Sequence, residues 1–172
     1  WQLAEDRDGA LIAATENGPW RRASDGWHPL PEDGSLSHLH VWSIESDGAD
    51  GWWFGFRGGL MHSTPDGQHL IGAAQGLPNP VVRDLLRDAN GALWAATAGG
   101  GLARLHDGRF QTLGENGGLG TNVLWQLMID REGDLWAGTA AGLARIRDAG
   151  VRSFGPPEGL PPGRGRTVHG DG

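Results

Sequence analysis

Val82-Arg-Asp-Leu-Leu-Arg-Asp-Ala-Asn-Gly-Ala-Leu-Trp-Ala-Ala-Thr-Ala-Gly-Gly-Gly-Leu-Ala-Arg-Leu-His-Asp-Gly-Arg-Phe-Gln-Thr-Leu113 holds four short apolar runs divided by glycine turns. The run 82–87 is a first strand, closed by Asp88 to Gly91, where an Asp can bond the backbone ahead and a Gly can take positive φ. A second strand is expected over 92–97. Gly99 to Gly101 then turn the chain into a third at 102–105, and the Asp107-Gly108 pair turns it into a fourth at 109–113. One such meander buries too little apolar surface to stand alone, so its neighbours must supply the rest of a core.

Those neighbours are visible on both sides. Ile12, Trp53, Trp94 and Trp136 are spaced by 41, 41 and 42 residues, each with an Asp six positions earlier: Asp6, Asp47, Asp88 and Asp130. A Gly followed by Pro or Leu comes six or seven residues later, at Gly18, Gly59, Gly101 and Gly142. A period of this length, built from short strands and turns, marks small sheets stacked side by side. The expected fold is all-β: about four β-propeller blades, each a four-stranded antiparallel meander. Their approximate bounds are 1–41, 42–82, 83–124 and 125–165, with a fifth beginning at 166–172. Both ends of the chain fall at a first strand and Trp1 already lies inside a repeat, so a piece of a larger ring is expected, marginal or self-associating by itself.

Composition narrows the function. The 31 Gly and 10 Pro sit at regular punctuation points, which argues against a disordered tract. Without cysteine there is no disulfide framework, thiolate metal site or thiol nucleophile. The net charge of −7 is spread along the chain and no basic stripe exists, which disfavours nucleic acid as a partner. No apolar run approaches the ~20 residues of a membrane span. A Gly-x-Ser-x-Gly elbow, a phosphate loop with Lys and a His-Glu-x-x-His pair are all missing.

The recurring Asp residues are expected to form turns. Asp6-Arg-Asp-Gly9 hints at a calcium loop, but no distal acidic ligand recurs. Trp53, Trp94 and Trp136 are expected in the core between blades, and Thr15, Thr97 and Thr139 at the ends of second strands. Candidates for binding are the positions that vary within the frame. Eleven residues before the four core positions stand Trp1, Trp42, Arg83 and Trp125, with Arg166 at the same place in the truncated fifth copy. First strands of a propeller lie nearest its axis, so these side chains are expected near the channel mouth, where Trp stacks and Arg makes forked hydrogen bonds. Packing of the Trp residues against neighbouring blades is the competing reading. His38, His40, Asn79 and Asn122 are further candidates in the flanking loops. His38 and His40 alternate on a possible strand, but no third ligand recurs to complete a metal site, and no cofactor is expected.

Gly76-Leu77-Pro78, the run 82–88, Gly91 to Thr97 and Gly101 to Arg104 resemble the two-component regulator propeller repeat. A second copy at Gly118-Leu119, 123–130, Gly133 to Thr139 and Gly142 to Arg145 matches it more closely, while Ile12 replaces Trp and Phe56 replaces Thr in the first two. The resemblance implies a non-catalytic extracytoplasmic or periplasmic sensor region of a bacterial receptor, followed by a membrane helix and a histidine kinase or diguanylate cyclase. It implies a small-molecule ligand, such as a carbohydrate, or a partner domain, and a dimer of the full-length receptor. The alternatives are an enzyme similar to streptogramin lyases, which would use a channel His such as His38 or His40 with a metal ion, and a protein-interaction scaffold.

Overall fold

The computed structural model describes residues 2–106, 108–147 and 150–161. They form four antiparallel four-stranded sheets, each a meander in chain order. Blade 1 holds β1 (Leu3–Glu5), β2 (Leu11–Thr15), β3 (Gly18–Ala23) and β4 (Gly26–Pro29). Blade 2 holds β5 (Val41–Ser46), β6 (Trp52–Phe56), β7 (Gly59–Thr64) and β8 (Gly67–Ile71). Blade 3 holds β9 (Val82–Arg87), β10 (Leu93–Thr97), β11 (Leu102–His106) and β12 (Arg109–Leu113). Blade 4 holds β13 (Leu124–Ile129), β14 (Leu135–Thr139), β15 (Gly142–Arg147) and β16 (Gly150–Phe154). Trp1, Arg166 and the expected fifth repeat lie outside the described residues.

The blades are held by three apolar cores, one in each seam. Ile12, Ala14, Leu36, Val41, Ile44 and Phe54 fill the first; Leu60, Val82, Leu85 and Ala95 belong to the second; Leu102, Leu124, Leu127 and Ala137 belong to the third. Side-chain sizes on the two sides of a seam are complementary. Trp53 of blade 2 shares its core with Ala95 of blade 3, and Trp94 of blade 3 shares its core with Ala137 of blade 4. Ile12 replaces Trp on blade 1, and the facing position grows to Phe54. Close packing requires that exchange of volume across the seam. The inner strands β1, β5, β9 and β13 also pack on one another in succession.

The indoles are less buried than the sequence suggests. Ile12 is fully buried, whereas Trp53 and Trp94 are half-buried at the margin of their cores. Trp136 stacks on Phe154 with ring centroids 5.7 Å apart. For Trp94 and Trp136 the reason is polar: the indole N–H donates to the turn carboxylate, Trp94 Nε1 to Asp88 Oδ2 at 2.8 Å and Trp136 Nε1 to Asp130 Oδ2 at 2.6 Å. One ring edge must therefore stay at the turn.

All four Asp residues build the same turn. Oδ1 of Asp6 accepts from the amides of Asp8 and Ala10, and that of Asp47 from Ala49 and Gly51. Asp88 takes Asn90 and Ala92, and Asp130 takes Glu132 and Asp134. Oδ2 faces the third strand or the Trp, meeting Arg21 at 2.6 Å in blade 1 and His62 at 3.0 Å in blade 2. The Trp136 indole holds the Asp130 carboxyl below the usual carboxylate range.

Two glycine positions are structural requirements. At Gly18, Gly59, Gly101 and Gly142, φ is positive, and a Cβ would collide with the carbonyl oxygen of Leu36, Ile71, Leu113 or Phe154. Gly76, Gly118 and Gly159 end one-turn 3₁₀ helices (Ala73–Gln75, Glu115–Gly117, Pro156–Glu158) in the left-handed region. The turn directs Leu77 and Leu119 into buried positions, which accounts for the recurring Gly-Leu pair.

Candidate functional site

The inner strands β5, β9 and β13 each contain one irregularity, at the same place. Val41 pairs with Phe56 and Ser43 with Gly55, so Trp42 has no opposite residue. Val82 and Asp84 pair across Arg83, and Leu124 and Gln126 pair across Trp125, in the same manner. Each is a β-bulge, a device that inserts one residue, bends the strand and re-aims a side chain. The candidates Trp42, Arg83 and Trp125 are the three bulged residues.

Their side chains converge on one cavity of about 460 Å³, to which all three blades contribute, with Gln2 closing the side of blade 1. The Arg83 guanidinium lies over the Trp125 ring, 3.6 Å from its centroid. His40 approaches Trp42 from outside the cavity, with ring centroids 5.5 Å apart and planes tilted by 59°. Glu45, Asp84 and Gln126 complete the polar part of the lining.

At the repeat position occupied by Gln2, Ser43, Asp84 and Gln126, just after the bulge, Gln2 and Asp84 link neighbouring blades. Gln2 Oε1 accepts the Ile44 amide of blade 2 at 2.8 Å, and Asp84 Oδ2 accepts the Leu127 amide of blade 4 at 2.7 Å. Ser43 occupies this position in blade 2 and is too short to do the same. The Leu85 amide donates instead to Asp84 Oδ1 at 3.0 Å, and the fully buried Ser43 Oγ has no hydrogen-bond partner. Ser43 therefore makes no link between blades 2 and 3; two residues on, the Glu45 carboxyl accepts a backbone hydrogen bond from Arg87 of blade 3 instead.

Both carboxyls of the cavity are shifted in the same direction. Burial pushes Glu45 up to about 7, reinforced by the nearby Asp84 and opposed by its neighbouring amides and by Arg87. Burial also pushes Asp84 up to about 6, against the pull of its two amide bonds. Neither carboxyl forms an ion pair among the described residues. Desolvation disfavours the charged form unless a partner compensates for it.

The remaining candidates lie elsewhere. His38 and His40 are exposed and lie in the non-strand segment ahead of β5, so the expected alternation on a strand is absent. Asn79 Oδ1 accepts the Val81 amide at 2.9 Å and Asn122 Oδ1 the Glu115 amide at 2.8 Å, which fixes the loops leading to β9 and β13. None of these four lines the axial cavity. No group of three His, Cys, Asp or Glu that could hold a metal ion occurs among the described residues. Sequence reasoning missed Glu45 and Asp84; the available signal was the polar series Gln2, Ser43, Asp84 and Gln126, one position after the variable one. It also missed His62, which stacks on Trp53 with ring centroids 3.8 Å apart where the other blades carry Arg.

Residues 76–99 match the two component regulator propeller family. No curated protein sequence matches the chain. Among solved structures, the extracellular domain assigned to the hybrid two component system BT3049 of B. thetaiotaomicron superposes with a TM-score of 0.81 at 22% identity, over 95% of this chain and 24% of that one. The extracellular domain of BT4673 from the same organism gives 0.67 at 26% identity, over 86% of this chain and 21% of that one. Virginiamycin B lyase from Staphylococcus aureus gives 0.63 at 16% identity, over 89% of this chain and 54% of that one. The chain thus spans about a quarter of the length of the two extracellular domains it resembles. No described helix is long and apolar enough to cross a membrane.

Proposed function

We propose that this chain, which carries the two component regulator propeller repeat, is the extracytoplasmic sensing region of a bacterial two-component or cyclic-di-GMP receptor, and that a small ligand binds in its axial cavity. The convergence of the three bulged residues, Trp42, Arg83 and Trp125, on that cavity carries the reading. A bulge places a side chain where the ladder makes no use of it. Two indoles and a guanidinium at such positions, beside carboxyl and amide groups, suit a ligand with a flat face and several polar atoms. Signalling catalysis would belong to another domain of the receptor. Ligand would act by favouring one arrangement of the sensor regions in the dimer over another.

The test is a calorimetric screen of small polar compounds against the 172-residue chain and its Trp42→Ala and Trp125→Ala variants. Saturable binding that both substitutions weaken at least tenfold supports axial recognition. Binding that neither substitution alters would place the ligand elsewhere and overturn it. Metal-dependent lyase turnover lost on changing His38 or His40 would favour the enzyme instead. For the receptor role, the decisive observation is the gene on either side of the chain. Further repeats, a membrane helix and a kinase or cyclase domain support the reading, and a stop after a closing strand with no membrane helix overturns it.

A further inference from the structure

The axial cavity has a charge pattern that narrows its ligand. Glu45 on β5 and Asp84 on β9 come from adjacent blades and line the same space, between Trp42 on one side and Trp125 on the other. Asp84 spends both oxygens on the amides of Leu85 and Leu127, and the positive charge that acts on it is the chain's N-terminal ammonium, with which it forms no ion pair among the described residues. The charged groups acting on Glu45 are Asp84 and Arg87. The third charge on the wall, the Arg83 guanidinium, lies against the Trp125 ring. That contact also demonstrates the chemistry available: an indole of this cavity already receives the face of an organic cation.

We propose that the axial cavity takes an organic ammonium group, held over the Trp42 indole and between the carboxylates of Glu45 and Asp84. This deepens the axial-recognition reading and rests on it. An ammonium gains twice here, from the π face and from two carboxylates in a partly dehydrated space. A neutral polyol can stack and hydrogen-bond, but brings no positive charge to either carboxylate. The raised affinity of both carboxyls for protons agrees with this assignment, because a bound cation would take the place of those protons. Binding at pH 6.5 would then release protons, and affinity would rise as Glu45 and Asp84 ionise.

Tetramethylammonium and ethylammonium chloride serve as probes, titrated calorimetrically into the 172-residue chain in two buffers of different ionisation enthalpy. Sodium chloride at equal ionic strength and glucose are the comparisons. The expected result is saturable ammonium binding with proton release at pH 6.5, at least tenfold tighter at pH 8 than at pH 5.5. Glu45→Gln should weaken it at least tenfold, and Trp42→Ala comparably; Glu45→Gln keeps the side-chain shape and an oxygen that can accept the Ser46 and Arg87 amides, and should remain folded. Heats no larger than those of sodium chloride, or equal affinity in Glu45→Gln, would overturn the assignment. Glucose binding that Trp42→Ala abolishes, without ammonium binding, would overturn only the cationic ligand and leave axial recognition standing. No binding of any compound in the wider screen would remove both.

Discussion

Replacing Glu45 by Gln should make the protein more stable at neutral pH and leave it unchanged in mild acid. Glu45 is pushed from 4.5 to about 7 in the folded chain. Each tenfold change in proton affinity is worth about 1.4 kcal/mol, so the full displacement corresponds to about 3 kcal/mol. The side chain lines a cavity open to the surface and is only partly buried, so solvent screening reduces the figure to about 2 kcal/mol. The sign follows from the direction. A carboxyl whose affinity for protons rises on folding contributes stability below its unfolded value of 4.5 and loses it as pH rises to about 7. Above that, the folded chain holds an ionised Glu45 at a cost that Gln does not incur. Asp84 is present in both proteins and cancels to first order. Urea unfolding at pH 4.5 and pH 8 should give equal midpoints at the first and a variant more stable by about 2 kcal/mol at the second. For a chain of this size that difference corresponds to a Tm higher by roughly 4–8 °C. A stability gap of the same size at both pH values, or a less stable variant at pH 8, would refute the reasoning.

Other perturbations test the fold and the site separately. Leu124→Ala, in the core between blades 3 and 4, should cost about 3–4 kcal/mol in chemical denaturation. Gly101→Ala combines positive φ with a collision against the Leu113 carbonyl and should lose about 2–3 kcal/mol, whereas Gly108→Ala, whose Cβ would meet nothing, should lose only about 1 kcal/mol. Asp88→Ala removes the acceptor for two turn amides and the Trp94 indole, for a loss of about 2–3 kcal/mol and a shift in tryptophan emission. Ser43→Ala deletes a buried hydroxyl with no partner, so stability within about 0.5 kcal/mol of the parent is expected in the same urea assay.

Much of the architecture was legible because repetition multiplies weak signals. A single Asp-Ala-Asn-Gly run is an ordinary turn; four at one spacing fix the frame, and strand β9 falls on residues 82–87 as expected. The same frame led to Trp42, Arg83 and Trp125, since a position that changes while its neighbours stay constant is free of the architecture. Glu45 and Asp84 were not legible in this way. Their environment depends on which residues face each other across a seam, a relation between blades that no single repeat contains. The strand expected at His38 and His40 is absent for a related reason. Their alternation mimics a strand, but the segment between blades 1 and 2 has no one-turn helix of the kind that precedes β9 and β13, and runs through turns instead.

The bulge separates two kinds of heritable change. Residues on the regular part of β5, β9 or β13 are tied to a partner strand and to a seam, so altering them alters folding. A bulged residue has no partner in the ladder, and the side chains that reach the next blade at this level, Gln2 and Asp84, occupy the following position of the repeat. Substitution at 42, 83 or 125 can therefore rewrite the chemistry of the axis while the scaffold stays constant. Change at three codons would suffice to give the same blades a different cavity wall, and the same three codons are where a designed binding site would be written into this scaffold.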